Sequence, residues 1–156
     1  MLIHFICVGT RMPVWVQQGY DEYARRLPKE CCLCLQEVPL GRRSKGADVR
    51  RAVRDEGERM LASLPRDCHV LALDQGGCSW STEELAEQME GWLGAGRDLA
   101  LLVGGPDGLA QSCLERADRR WSLSPLTLPH PLVRIVVAEQ LYRAWSILAN
   151  HPYHRG

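Results

Sequence analysis

The spacing of apolar positions changes repeatedly along the chain, and each change marks an element. Leu2–Val8 is a mostly apolar run that stops at Gly9-Thr10 and reads as a strand. From Pro13 to Leu27 the apolar residues Trp15, Val16, Tyr20, Tyr23 and Leu27 fall at helical intervals, with proline placed to open the helix. Cys32–Val38 is strand-like again, and the basic loop Pro39–Gly46 leads to a charged amphipathic helix predicted over Ala47–Leu64. His69–Leu73 is a short apolar strand followed by the turn signal Gln75-Gly76-Gly77. Ser81 or Thr82 then caps a helix running to about Leu93, with Glu83 or Glu84 at the positive end of its dipole. Asp98–Val103 reads as a buried strand, Leu109–Ala117 as a short helix, Trp121–Ser124 as a short strand and Leu132–Asn150 as the last helix.

Five strands alternating with five helices predict an α/β fold, a parallel sheet covered by helices on both faces. There is no internal repeat, low-complexity stretch or long linker, so residues 1–156 are expected to form a single domain. With 46% apolar and 24% charged residues the chain can bury a core and is not a disordered tail. No apolar run approaches the ~18–20 residues of a membrane span. The first residues lack the basic start and cleavage site of a secretory leader, so the expected location is cytoplasmic. In such a compartment the seven cysteines read as reduced, mostly buried hydrophobes. Cys31-Cys32-Leu33-Cys34 does contain a C-x-x-C, but no second pair follows at zinc-ribbon spacing. No metal is expected.

The charges cancel, yet they are segregated. Residues 1–66 carry 12 basic and 8 acidic side chains, residues 67–118 carry 2 and 10, and residues 119–156 carry 5 and 1. Both ends are therefore basic, and 17 of the 19 cations are arginine, whose planar fork suits phosphate. Arg42, Arg43, Lys45, Arg50 and Arg51 form the densest candidate for RNA phosphate contacts.

In parallel sheets ligands bind beyond the carboxyl ends of strands, which selects three loops here, after Leu73, Val103 and Ser124. Gly104-Gly105-Pro106-Asp107-Gly108 can turn with positive φ and let a ligand approach the main chain. It matches neither a dinucleotide fingerprint nor a Walker loop, which weakens a flavodoxin-like nucleotide-binding reading. Ser122–Pro131 is stiffened by three prolines yet rich in leucine, as a slot for a flat heterocycle would be. The last helix is apolar nearly all round, so a second subunit is the expected cover. His151-Pro152-Tyr153-His154-Arg155 concentrates donors, a stacking ring and a titratable group at the end of the chain.

These segments together resemble the RlmH family of small SPOUT-class methyltransferases. The resemblance is carried by Leu101–Leu109, by Trp121-Ser122-Leu123-Ser124 with Leu126–Arg134, and by Leu141–Ser146 with Asn150–Arg155. Val8-Gly9-Thr10, Met12-Pro13, Trp15-Val16 and Gly41-Arg42-Arg43 extend it over the whole chain. Asp107 stands where that pattern expects glutamate, and the cysteine-rich second strand is peculiar to this chain.

The resemblance implies a C-terminal trefoil knot and a homodimer whose partner completes each site. It implies an S-adenosylmethionine site at Leu73, Gly104, Leu123, Ser124, Pro125, Leu126, Thr127 and Leu128. The implied substrate is N3 of a pseudouridine in 23S ribosomal RNA, modified on the assembled ribosome. An imide proton must then be removed, and His130, Tyr153, His154 and Arg155 are the candidates, unranked by sequence. A non-catalytic RNA- or ribosome-binding α/β module is the alternative expectation.

Overall fold

The computed structural model describes residues 1–44 and 48–155; Lys45 lies outside them. The elements are β1 (Leu2–Val8), α1 (Val14–Ala24), β2 (Cys32–Val38), α2 (Val49–Ala62), β3 (His69–Ser79), α3 (Thr82–Ala95), β4 (Leu99–Val103), α4 (Gln111–Arg116), β5 (Arg119–Ser122) and α5 (His130–Leu148). Single 3₁₀ turns cover Lys29–Cys31 and Pro152–Arg155. The five strands form one parallel sheet in the order β2-β1-β4-β3-β5. Alternation along the strands sorts the core into two layers. Ile3, Phe5, Leu99 and Leu101 face α1, α3 and α5, whereas Ile6, Val8, Ala100 and Leu102 face α2 and α4.

Element boundaries follow local chemistry. The α1 helix stops at Ala24, short of the predicted Leu27, because Leu27 precedes Pro28 and packs into the core instead. Ser81 caps α3 with a reciprocal capping box to Glu84, and Gly96 ends it in the left-handed region. Pro131 sits in the first turn of α5, which begins at His130, two residues ahead of the predicted start. Strand β5 ends at Ser122, because Ser124 turns the chain: its Oγ accepts the Leu126 N–H at 2.9 Å.

Two expectations change. The predicted turn after Leu73 is an excursion inside a longer β3, since Leu73 and Cys78 both pair with Trp121 and the chain loops out between them. The last helix is covered largely within the chain, where α1 and α3 flank it and Val137, Ala138, Leu141 and Ala144 are fully buried. Of its Leu, Ile, Val and Trp side chains, Leu132, Ile135, Val136, Trp145, Ile147 and Leu148 remain half-buried. Of the cysteines, Cys7, Cys31, Cys68 and Cys113 are buried, Cys34 and Cys78 are exposed, and all are free. Among the described residues no group of three His, Cys, Asp or Glu stands so as to hold a metal.

The glycine loop after β4 closes on itself. A short antiparallel bridge joins Gly105 to Gly108, and Gly108 takes the left-handed φ of +80°. A Cβ on Gly104 would lie 2.4 Å from the Gly108 carbonyl carbon. The missing side chain at Gly104 therefore serves the loop's own closure, not the ligand approach or positive φ expected of it. Gly104→Ala should cost about 1–3 kcal/mol through overpacking against main chain, read as a lower urea midpoint. A wild-type midpoint would contradict the tight closure.

Candidate cofactor cleft

Because β4, β3 and β5 are neighbours in the sheet, the segments leaving their carboxyl ends converge. They enclose a cleft of about 610 Å³ lined by residues 73–75, 103–109, 121–124 and 126–131, with Val133. Its floor is continuous with the main core: Leu73, Val103, Trp121, Leu123, Leu128 and Val133 all belong to that cluster. Trp121 is buttressed from behind by Trp80, stacked at 5.6 Å between ring centroids. The rim is braced in two places. Gln75 Nε2 donates to Thr127 Oγ1 at 3.0 Å and to the Pro125 carbonyl at 3.3 Å, tying the β3 excursion to the proline-rich loop. On the other side, Arg43 Nε donates to Asp107 at 2.9 Å while Glu56, itself buried, binds Arg43 and accepts the Gly41 N–H.

The electrostatics of the cleft are unusual for a nucleotide site. Among the described residues its ionisable lining groups are Asp74, Asp107 and His130, with no lysine or arginine. Asp107 is offset by Arg43. Burial, then the nearby Arg134 guanidinium, holds the His130 imidazole below its ordinary pKa of about 6.5, so it is neutral at pH 7. Its Nδ1 is buried and unpartnered, a polar atom left for a bound molecule or water. Arg134 is buried below it, donating to the Gly9 carbonyl and to Glu37, each at 2.7 Å. The described lining offers a phosphate-bearing ligand no cation. A flat base with uncharged or positive groups fits the apolar floor and the net negative lining.

Seven of the eight cofactor candidates line the cleft: Leu73, Gly104, Leu123, Ser124, Leu126, Thr127 and Leu128. Pro125 does not; it contributes its carbonyl to the Gln75 brace. Asp74, Gln75 and Trp121 were missed by sequence reasoning. Asp74 and Gln75 follow a wholly apolar strand directly, which was the signal available for them.

The four catalytic candidates are split between two places. His130 lines the cleft, but Tyr153, His154 and Arg155 do not. The tail is folded back along the second half of α5, where Tyr153 donates to Glu139 at 3.0 Å and Arg143 lies 4.9 Å over its ring. His154 Nδ1 meets Ser146 Oγ at 3.3 Å. Along the helix Glu139 and Ser146 lie roughly 14 and 24 Å from His130, at about 1.5 Å per residue. Burial and the Glu139 carboxylate push the Tyr153 phenol up to about 12, so it remains protonated at neutral pH. Of the basic candidates, Arg42, Arg50 and Arg51 are exposed, whereas Arg43 is consumed by Glu56 and Asp107.

Comparison with known proteins fits this geometry. The family model described as "Predicted SPOUT methyltransferase" matches residues 1–154. A protein of Methylococcus capsulatus named Ribosomal RNA large subunit methyltransferase H is 59% identical over 155 residues, covering 99% of this chain and 100% of its own. A protein of the same name from Alkalilimnicola ehrlichii is 63% identical, covering 99% of each chain. Among solved structures, a probable methylase family protein from Haemophilus influenzae shares the fold at a TM-score of 0.52 and 14% identity, over 97% of this chain and 69% of that one. The chain belongs to the SPOUT methyltransferase family, in its RlmH branch.

Proposed function

We propose that the cleft holds S-adenosylmethionine and that the chain methylates N3 of a pseudouridine in 23S ribosomal RNA, on assembled ribosomes in the cytoplasm. In this reading residues 1–156 act as one SPOUT methyltransferase domain, with the C-terminal trefoil knot of that class, and work as a homodimer. The supporting observation is the cleft itself: apolar-floored, free of lining cations among the described residues, at the joined ends of β3, β4 and β5 in a SPOUT methyltransferase chain. The donor supplies a methyl group on a positively charged sulfur, a leaving group that needs neither acid nor metal assistance.

The chain's own work is then to align the acceptor and remove its proton. Leu123, Leu128 and Trp121 present the apolar face for the base, and the braced loops offer main-chain donors and acceptors at its edge. Ser146 gives its hydroxyl proton to the Arg143 carbonyl at 2.6 Å, so its oxygen faces His154 as an acceptor. That fixes the proton of a neutral His154 on Nδ1 and leaves Nε2 to take the N3 proton. Arg155 is the cation for the developing N3 anion, and Tyr153 stacks on the uracil ring.

These tail groups reach a cleft only if it belongs to another chain. Val14 and Trp15 are exposed at the start of α1, on the cleft side of the sheet, while the tail lies at the opposite end of α5. An antiparallel two-fold pairing of α1 and α5 buries those side chains and carries each tail to the partner's cleft. Deletion after Asn150 should abolish methyl incorporation into ribosomes, preserve the dimer by light scattering, and weaken S-adenosylhomocysteine binding only in part by calorimetry. Near-normal turnover would make the tail inert and return the proton to His130.

The exposed Arg42, Arg50 and Arg51 supply phosphate contacts beside the cleft, to which Arg43 and Asp107 link them. Replacing these three by alanine should weaken ribosome binding and flatten its salt dependence, since fewer counterions are released. Affinity for S-adenosylhomocysteine should stay unchanged. An unaltered salt slope would show that this stretch does not touch RNA.

A further inference from the structure

The cleft carries one unbalanced charge. Of its three ionisable lining residues, Asp107 is paired with Arg43 and His130 is neutral. Asp74 has no ion pair or hydrogen-bond partner among the described residues. It is half-buried at the point where the β3 excursion leaves the sheet, with a carboxylate oxygen 3.3 Å from the position a Cβ on Gly76 would take. The excursion is pinned on both sides. Gln75 ties it to the proline-rich loop, and a Cβ on Gly77 would fall 2.5 Å from the Arg120 carbonyl carbon, leaving Gly77 packed directly on β5. Asp74 is thus a fixed negative charge on the wall of a cleft whose floor is apolar.

We propose that Asp74 is a specificity-determining residue that makes the cleft prefer the positively charged methyl donor over the neutral thioether left when the methyl group has gone. The inference rests on the reading of the cleft as the donor site. Donor and spent product share the adenine, the ribose and the amino-acid end, so contacts to those parts hold both equally well. They differ in the methyl group and in the charge on sulfur. A single carboxylate in the wall, with no answering cation among the described lining residues, acts on that charge and is nearly indifferent to its absence. Such discrimination lets product leave while fresh donor binds, which uniform binding cannot do.

Three probes separate the charge from the rest: S-adenosylmethionine; sinefungin, which carries an ammonium in place of the methylsulfonium; and S-adenosylhomocysteine, uncharged at sulfur. In calorimetry, Asp74→Asn should weaken both cationic probes roughly 5- to 30-fold, the range for a unit charge several ångströms away and partly screened. It should leave S-adenosylhomocysteine within about twofold, and that unchanged binding shows the variant to be folded. Asp74→Glu keeps the charge and should restore the preference. Equal weakening of all three probes would put Asp74 on the shared ribose or amino-acid end, and no weakening of any would leave it without a role; either result overturns the proposal. Failure of wild-type protein to bind any of the three would instead overturn the donor-site reading.

Discussion

Helix α5 is a rigid rod of nineteen residues, and the candidate catalytic groups are divided along it. His130 stands at its start, lining the cleft, and Tyr153 and His154 are folded onto its second half. The rod cannot bend to join them. Val137, Ala138, Leu141 and Ala144 are fully buried between α1, α3 and the sheet, and a kink would open that packing at a cost of several kcal/mol. The same core that fixes the cleft floor therefore keeps the tail on the second half of α5, with Tyr153 at Glu139 and His154 at Ser146. In the proposed composite site a second copy brings cleft and tail together.

Charge placement follows a similar economy. Among the described residues the cleft has no lining lysine or arginine, which suits a cationic donor and disfavours phosphate-bearing cofactors. The arginines lie outside it, and they are not interchangeable. Arg43 joins the glycine loop to α2 through Asp107 and Glu56, and Arg134 supports the turn at Gly9 from within the core. Arg42, Arg50 and Arg51 face solvent and remain available for RNA. Fixed partners in the fold, the buried Glu56 for Arg43 and the Gly9 carbonyl for Arg134, decide more than sequence position which arginines are structural.

Much of the scaffold was legible in the sequence because its signals are local. Strands β1 and β2 occupy the predicted residues, since each is a strand-like run with turn residues at its carboxyl end. The three ligand loops were legible for the same reason, through glycine and proline at strand exits. What could not be read depends on distant partners. Gln75-Gly76-Gly77 has the composition of a turn, yet Cys78 and Ser79 rejoin the sheet because β5, forty residues on, offers them a ladder. Arg43 has the composition of an RNA contact, but its partners lie 13 and 64 residues away. The apolar circumference of α5 suggested a partner subunit, while α1 and α3 supply much of the cover.

Whether one chain's cleft works with another chain's tail is settled by mixed dimers. One variant ends after Asn150; the other carries Leu128→Trp, filling the cleft so that S-adenosylhomocysteine no longer binds. Each is expected to be inactive alone. Refolded together in equal amounts, half of the dimers are mixed, and each mixed dimer holds one complete site from an intact cleft and an intact tail. Tritiated methyl incorporation into ribosomes should then recover to about a quarter of the wild-type level. Two inactive variants that stay inactive as verified mixed dimers would contradict the account.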